Sequence, residues 1–241
     1  MFKMKNLILV SLFLLVLTGI SYADYRYYAW TYQFDTMIAG ETEIEFYTTL
    51  KQSDRNDDTT AKWARQIEIE TGLTDRWDIS MYLADKYSEK NAKTKFSEVK
   101  FRTRYKLTSM KDMFFFDPLI YIEYRIQADR SYPDKWETKL VLAKDIDKLN
   151  IALNFIPEET YKEDSKEKKW KYEYAAGVSY AVVPRFRFGV ESKGDLSNGK
   201  YMIGPAFSFA NNSLWMSISP IYGVNRKSDD IRIQAIVGIA I

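Results

Sequence analysis

The stretch that decides the fold is residues 98–107, which reads Glu-Val-Lys-Phe-Arg-Thr-Arg-Tyr-Lys-Leu. Charged side chains occupy every even position, and apolar or uncharged ones occupy every odd position. Because successive side chains of a strand point to opposite faces, this period of two predicts a β-strand with one charged face. An amphipathic helix would need apolar spacings of three as well as four, and spacings of three are absent here.

The same alternation continues from residue 41 to the last residue, for example in 67–73, 77–83, 120–126 and 170–180. We therefore predict an all-β chain of twelve strands. Their expected bounds are 41–50, 63–73, 76–86, 96–107, 118–127, 135–144, 148–156, 168–182, 185–193, 200–210, 213–222 and 231–241. Each runs for about ten residues, which is the length a tilted strand needs to cross a bilayer.

The connections between these strands alternate in length. Long charged segments such as 51–62 and 157–167 follow the odd-numbered strands, and short ones such as 74–75, 183–184 and 211–212 follow most even-numbered strands. The segment 108–117 is the exception, being long where a short turn is expected. Long loops at one end and tight turns at the other are typical of an outer-membrane barrel. An even strand count puts both chain ends on the turn side, which would be the periplasm.

Composition excludes most catalytic chemistry. The 241 residues contain no histidine and no cysteine, so a Ser-His-Asp triad, a cysteine nucleophile and an imidazole or thiolate metal site are impossible. Glu68 and Glu70 share one strand face about 7 Å apart, but any polar strand face produces that spacing. The acidic stretch 54–58 is better explained as a solvated loop than as a cation site. We expect no enzyme, no cofactor and no metal.

Residues 1–23 have the pattern of a secretory signal peptide. Lys3 and Lys5 precede an apolar run over 7–20, and Ser21-Tyr22-Ala23 forms a small-x-small cleavage site. We predict cleavage after Ala23. Removing two of 35 basic residues and no acidic one leaves 33 of each sign. A net charge of zero gives no electrostatic reason to expect a nucleic-acid partner.

Alternation alone leaves two architectures open. In a soluble secreted β-sandwich that binds a ligand, the apolar set forms the core; in a membrane barrel, it faces lipid. An unbroken series of hairpins offers no long crossover connection, which favours the up-and-down transmembrane antiparallel β-barrel. Aromatic residues near strand ends also fit the girdles of such barrels. These are Trp63, Trp77, Trp136, Trp170, Tyr105, Tyr180, Tyr201 and Tyr222.

The chain resembles bacterial outer-membrane β-barrels of the small porin-like kind. Its last strand, 231–241, has one wholly apolar face and ends the chain, although its final residue is Ile241 rather than the usual aromatic. The segment 27–34 (Tyr-Tyr-Ala-Trp-Thr-Tyr-Gln-Phe) is similar to the entry of uncharacterised barrels grouped with phenol-degradation transporters. The resemblance implies a fold over 24–241 and no binding site. We treat residues 24–40 as an extra N-terminal segment, which either adds a strand or enters the lumen, before a barrel over 41–241.

In a membrane barrel the charged face lines the lumen. The residues expected to set its charge and selectivity are Glu43, Glu45, Glu68, Glu70, Asp78, Lys100, Arg102, Arg104, Glu123, Arg125, Lys171, Arg187 and Glu191. An acidic arc beside a basic strand would set a transverse field across a narrow water column. The expected function is passive passage of small hydrophilic solutes or ions. The alternative is a non-conducting structural or surface-interaction barrel, closed by ion pairs between neighbouring strands. Expected partners are outer-membrane lipid, the barrel-assembly machinery and small solutes.

Overall fold

The structure is a computed structural model that describes residues 25–107, 115–162 and 165–241. The described residues form twelve strands that close into one antiparallel barrel, in which β1 pairs with both β2 and β12. The strands are β1 (Thr42–Gln52), β2 (Ala61–Thr74), β3 (Trp77–Ser88), β4 (Lys93–Lys106), β5 (Asp117–Gln127), β6 (Asp134–Ile146), β7 (Leu149–Lys162), β8 (Ser165–Val183), β9 (Phe186–Asp195), β10 (Lys200–Ala210), β11 (Leu214–Gly223) and β12 (Ile231–Ala240).

All twelve predicted strands are present, and most bounds agree within a few residues. The main difference is at the loop end of β7 and β8. The sequence predicts a charged loop over 157–167, but β7 continues to Lys162 and β8 begins at Ser165. Backbone pairing needs no apolar face, so a charged hairpin can continue past the point where hydrophobic alternation stops. The predicted signal peptide and residues 108–114 lie outside the described residues.

Burial assigns the two faces of each strand. On β2, Ile67 and Ile69 are about half exposed, whereas Glu68 and Glu70 are fully buried. The apolar set therefore faces outward and the charged set faces the interior, which is the reverse of a soluble protein. The closed barrel also excludes the β-sandwich alternative.

The two ends of the barrel differ as expected. The turns 75–76, 147–148, 184–185 and 211–213 lie at one end, where the connection 107–116 is the long exception that the sequence predicts. The connections at the other end are longer, apart from the two-residue link between β7 and β8. Both ends of the strand series are on the turn side, where the Ile241 backbone N–H donates to the Thr42 carbonyl at 2.9 Å. Trp77 and Trp136 are exposed on the outer surface near strand ends, as a girdle requires.

Short 3-10 helices span Asp58–Thr60 and Glu89–Asn91 in the loops after β1 and β3. Among residues 25–107, 115–162 and 165–241, no helix is long and apolar enough to cross a membrane.

Candidate functional site: the lumen and the N-terminal segment

The N-terminal segment, residues 25–40, lies inside the barrel up to Met37, is exposed over 38–40, and adds no strand to the barrel. Tyr28, Ala29 and Thr31 are fully buried. The segment enters beside β2, where the Gly40 N–H donates to the Gly72 carbonyl at 2.9 Å. A Cβ atom on Gly72 would lie 2.1 Å from the Ile38 carbonyl oxygen, so only glycine permits this approach. The question left open by the sequence is settled in favour of the lumen.

Two wall residues bind the backbone of this segment. The Glu191 carboxylate on β9 accepts hydrogen bonds from the backbone N–H groups of Ala29, Trp30 and Thr31 at 3.0, 2.8 and 2.8 Å. The Asn154 side chain on β7 accepts from the Tyr32 N–H at 2.6 Å and donates to the Tyr32 carbonyl at 2.8 Å. An irregular buried segment has no ladder to satisfy its backbone groups, so these side chains replace the ladder.

Side chains of the segment add further anchors. The Tyr28 hydroxyl lies 2.9 Å from Asn150 Oδ1 and 3.0 Å from the Asn150 carbonyl. The Trp30 indole N–H donates to the Ser219 carbonyl at 3.1 Å. The segment is thus attached to β7, β9 and β11 at once, and it occupies the centre of the lumen.

The first group of luminal charges, the β2–β4 cluster, consists of Glu68, Glu70, Asp78, Arg102 and Arg104. Arg102 Nη1 lies 2.9 Å from Glu68 Oε1, and its Nη2 lies 2.5 Å from Glu70 Oε2. Arg104 Nη2 lies 2.7 Å from Asp78 Oδ2 and also pairs with Glu70. All five side chains are buried. Charges this far from water must be paired, so the cluster fills its side of the lumen.

Three carboxylates in this region, those of Glu45, Glu68 and Glu70, place oxygen atoms within 4.8 Å of one another. Hard cations bind such oxygen sets. Here, however, Arg102 pairs with two of the carboxylates, and the Tyr47 hydroxyl hydrogen-bonds both Glu45 and Glu68. The guanidinium already supplies the positive charge that a metal ion would bring, so the donor set does not favour a metal.

The second group, the cavity cluster, surrounds a cavity of about 170 Å³ above the N-terminal segment. Its members are Lys100, Lys139, Lys193, Arg125, Glu123, Glu137 and Glu173. Lys139 Nζ lies 3.0 Å from Glu137 Oε1, Lys193 Nζ lies 3.6 Å from Glu173 Oε2, and Lys100 Nζ lies 3.9 Å from Glu123 Oε1. These lysine pairs are longer than the shortest pairs of the β2–β4 cluster, and the lysines border open space. Arg125 is the exception, since its Nε lies 2.5 Å from Glu123 Oε1 and it also pairs with Glu137.

Aromatic rings complete the cavity wall. Lys139 Nζ lies 3.9 Å from the centre of the Tyr121 ring and 4.3 Å from that of the Tyr32 ring. Lys193 Nζ lies 5.5 Å from the Trp30 ring centre. Ammonium groups over ring faces are held by cation–π attraction. Because Tyr32 and Trp30 belong to the N-terminal segment, that segment forms the floor of the cavity.

The sequence-predicted site residues all lie on inward-facing positions, but in different surroundings. Glu43 accepts from the Trp215 indole N–H at 2.7 Å, and Arg187 stacks 3.9 Å from the Tyr27 ring centre. Lys171 lies at the loop end beside Glu173. Within the set of thirteen, the members of the β2–β4 cluster pair tightly, and Glu191 binds backbone. Whether any of them sets ion selectivity stays a prediction.

Sequence reasoning did not assign a role to Asn150 and Asn154. Both stand on the inward face of β7, and the available signal was a pair of neutral amides on a face where other strands carry charges. An amide both donates and accepts, which suits a peptide backbone better than a solute ion. The two amides can be interpreted in this way only when the N-terminal segment is known to lie opposite them.

Comparison with known proteins supports the fold. No family model and no curated protein matches the chain. A KdgM porin in complex with disordered oligogalacturonate superposes with a TM-score of 0.59 at 10% identity, covering 83% of this chain and 99% of that one. An outer-membrane channel from Pseudomonas putida F1 gives 0.62 at 9% identity, covering 86% and 98%. A NanC porin gives 0.56 at 9% identity, covering 82% and 98%. The chain has the fold of porin-like bacterial outer-membrane barrels.

Proposed function

We propose that the protein is an outer-membrane channel for passive passage of small hydrophilic solutes or ions, held closed in this structure by residues 25–40. The observation that carries the proposal is the inverted barrel, apolar outside and charged inside, with a cavity in its interior. An apolar exterior suits lipid, and a charged interior suits water and polar solutes. The similar solved structures named as porins and channels agree with this function.

The lumen favours solutes of small size and mixed charge. The cavity of about 170 Å³ is smaller than the pockets of about 300–1,000 Å³ that bind drug-sized ligands. Lysines and glutamates alternate around it, so a long polyanion gains from the lysines and loses to the glutamates. We therefore propose ions and dipolar or zwitterionic solutes for this chain, rather than an oligogalacturonate.

The step that opens the channel is release of the N-terminal segment from β7 and β9. Glu191 and Asn154 together accept or donate five hydrogen bonds with its backbone. A hydrogen bond to a charged group contributes about 1.5–3 kcal/mol, so these contacts can hold the segment in the lumen. They use side chains of the wall, so the backbone hydrogen bonds between strands do not depend on the segment. The route would then run through the cavity cluster to the turn side.

The test is single-channel recording of the refolded chain 24–241 in a planar lipid bilayer, beside the double variant Glu191→Gln with Asn154→Ala. We expect small or rare steps from the unaltered chain and larger, more frequent steps from the variant. Lys90→Gln, which changes an exposed loop lysine, is the matched control and should behave like the unaltered chain. Silence from both inserted proteins would contradict the channel.

A second candidate function is a non-conducting structural or surface-interaction barrel. The observation that favours it is the filled lumen, in which the segment's backbone groups are satisfied by wall side chains. The same recordings separate the two candidates, because a structural barrel stays silent even when the contacts to Glu191 and Asn154 are removed.

Location belongs to the proposal as well. An outer-membrane site requires export, and the pattern of residues 1–23 supports removal of a signal peptide after Ala23. Assembly machinery is then the expected partner during insertion. Amino-terminal sequencing of the protein from isolated outer membranes should begin at Asp24; recovery with residues 1–23 attached would contradict cleavage.

A further inference from the structure

One ion pair lies on the outward face of the barrel, where apolar side chains predominate. Arg65 on β2 and Asp85 on β3 are opposite each other in register, and Arg65 Nε lies 2.9 Å from Asp85 Oδ1. Their side chains are 53% and 35% exposed. Charged groups on the lipid-facing surface of a barrel cost stability unless they are near the interface. The pair is therefore expected near the interface, where polar groups outside the barrel can contact it.

The pair sits between the apolar band and an aromatic pair. On the turn side, the next outward residues are Ile67 and Leu83; on the loop side, they are Trp63 and Tyr87, which also pair in register. Tryptophan and tyrosine sit at the headgroup level of a bilayer. The guanidinium of Arg65 is therefore placed at the depth where lipid headgroups meet acyl chains.

A groove of about 410 Å³ runs beside the pair. Its apolar lining comes from Phe46, Ile67, Leu83 and Phe96. A shift in register between β3 and β4 pairs Asp85 with Phe96 and leaves out Ser97, and Phe96 is 54% exposed. Bulges of this kind re-aim a side chain, and here the bulge adds an aromatic ring to the wall of the groove.

The guanidinium keeps hydrogen-bonding capacity. Its Nε donates to Asp85, and within the described residues no hydrogen bond is shown from its two Nη nitrogens. Those nitrogens form the planar fork that binds phosphate oxygens in pairs. An apolar groove that begins at such a fork matches a molecule with a phosphate at one end and an acyl chain at the other.

We propose that this outward surface of β1–β4 binds a phosphate-bearing acyl lipid, with the phosphate on Arg65 and an acyl chain in the groove of Phe46, Ile67, Leu83 and Phe96. The proposal rests on the outer-membrane location proposed above and does not depend on conduction. Asp85 orients the guanidinium through Nε, but its own negative charge repels the phosphate. Burial of the chain against the groove adds the apolar contribution to binding.

The test is native mass spectrometry of the purified protein in an uncharged alkyl maltoside, with dioleoyl phosphatidic acid titrated as the probe. Dioleoyl glycerol, which lacks the phosphate, should not bind. Arg65→Gln should weaken binding about tenfold, as expected for loss of a charge-assisted hydrogen bond. Phe96→Ser should weaken it less. Arg185→Gln makes the same change at an exposed arginine of the β8–β9 turn, and should leave binding unchanged.

Asp85→Asn separates the lipid site from an ordinary ion pair. A lipid site predicts that this variant binds the probe as well as or better than the unaltered protein, because a repulsive charge is gone. Weaker binding in Asp85→Asn, equal binding in Arg65→Gln, or equal binding of dioleoyl glycerol would each overturn the proposal. Bilayer recordings of Arg65→Gln should match the unaltered chain, so failure of this site and failure of the channel give different results.

Discussion

The β2–β4 cluster and the cavity cluster both combine basic and acidic side chains on the inward face of the barrel, yet their surroundings differ. In the first, Arg102 and Arg104 are buried against three carboxylates, and Arg102 Nη2 lies 2.5 Å from Glu70 Oε2. In the second, lysines lie 3.0–3.9 Å from their partners and border a cavity of about 170 Å³. Residues on the same luminal face therefore differ in their surroundings: the arginines of the β2–β4 cluster are enclosed by carboxylates, and the lysines of the cavity cluster border open space.

The largest effect is expected from Arg102→Met. This change leaves Glu68 and Glu70 with less positive charge in a buried site, and breaking a buried pair by removing one partner costs about 3–5 kcal/mol. Urea unfolding of the refolded barrel in lipid vesicles measures the loss of unfolding free energy. Arg102→Lys keeps the charge and should lose less. A loss below about 1 kcal/mol would mean that the cluster contributes no more to stability than a surface ion pair does.

Lys139→Gln combined with Lys193→Gln should instead change selectivity more than stability. Each carboxylate keeps a second cation, Arg125 for Glu137 and Lys171 for Glu173. We expect this change in the Glu191→Gln and Asn154→Ala background to raise the cation-to-anion permeability ratio several-fold, because two positive charges leave the cavity wall. Reversal potentials under a salt gradient measure that ratio. Unchanged reversal potentials would show that ions do not pass beside this cluster.

The sequence predicts which residues of the two clusters face the lumen, but not how each of them is surrounded. Alternation in 98–107 is sufficient to place Lys100, Arg102 and Arg104 on one face of β4, and the structure confirms that placement. It does not separate Lys100, which borders the cavity, from Arg102, which is enclosed. That difference depends on which strands and which part of the N-terminal segment lie opposite, and these are contacts between residues distant in sequence.

The N-terminal segment is the feature that the sequence leaves open. Residues 27–34 alternate in polarity as a strand does, so periodicity alone is compatible with a thirteenth strand or with the lumen. Hydrogen bonds between their backbone and the side chains of Glu191 and Asn154 decide the matter, and the alternation of β7 and β9 places both residues on inward positions without showing what lies opposite. The longer β7 and β8 were missed for a related reason: hydrogen-bonded pairing outside the apolar band leaves no hydrophobic signal.

The smallest effect is expected at the loop end, at Asp229 between β11 and β12. Arg232 Nη2 lies 2.6 Å from its carboxylate and Lys51 Nζ lies 3.5 Å away. Burial raises the pKa of Asp229, but the charges of Arg232 and Lys51 outweigh it, so the pKa lies below the ordinary 3.8. Because the native pKa is the lower one, the stabilisation is present above about pH 4 and is lost as the pH falls through the native value.

Asp229→Asn should therefore lower the free energy of unfolding by less than about 1 kcal/mol at pH 7, since Lys51 is well exposed to solvent. The difference from the unaltered protein should shrink as the pH falls below 4. Urea midpoints measured at pH 7 and pH 3 check this. A difference that grows toward low pH would have the wrong sign for this pair.

The N-terminal segment lies in the lumen, where the Glu191 carboxylate binds three of its backbone N–H groups. Because the chain has no cysteine, Thr31→Cys introduces a single thiol at a fully buried position of the segment. Its rate of labelling by a water-soluble methanethiosulfonate reagent can be compared with that of Thr59→Cys in an exposed loop. We expect slow labelling of Thr31→Cys and clearly faster labelling when Glu191→Gln is added. Labelling of Thr31→Cys as fast as Thr59→Cys, or a rate unaffected by Glu191→Gln, would contradict this arrangement.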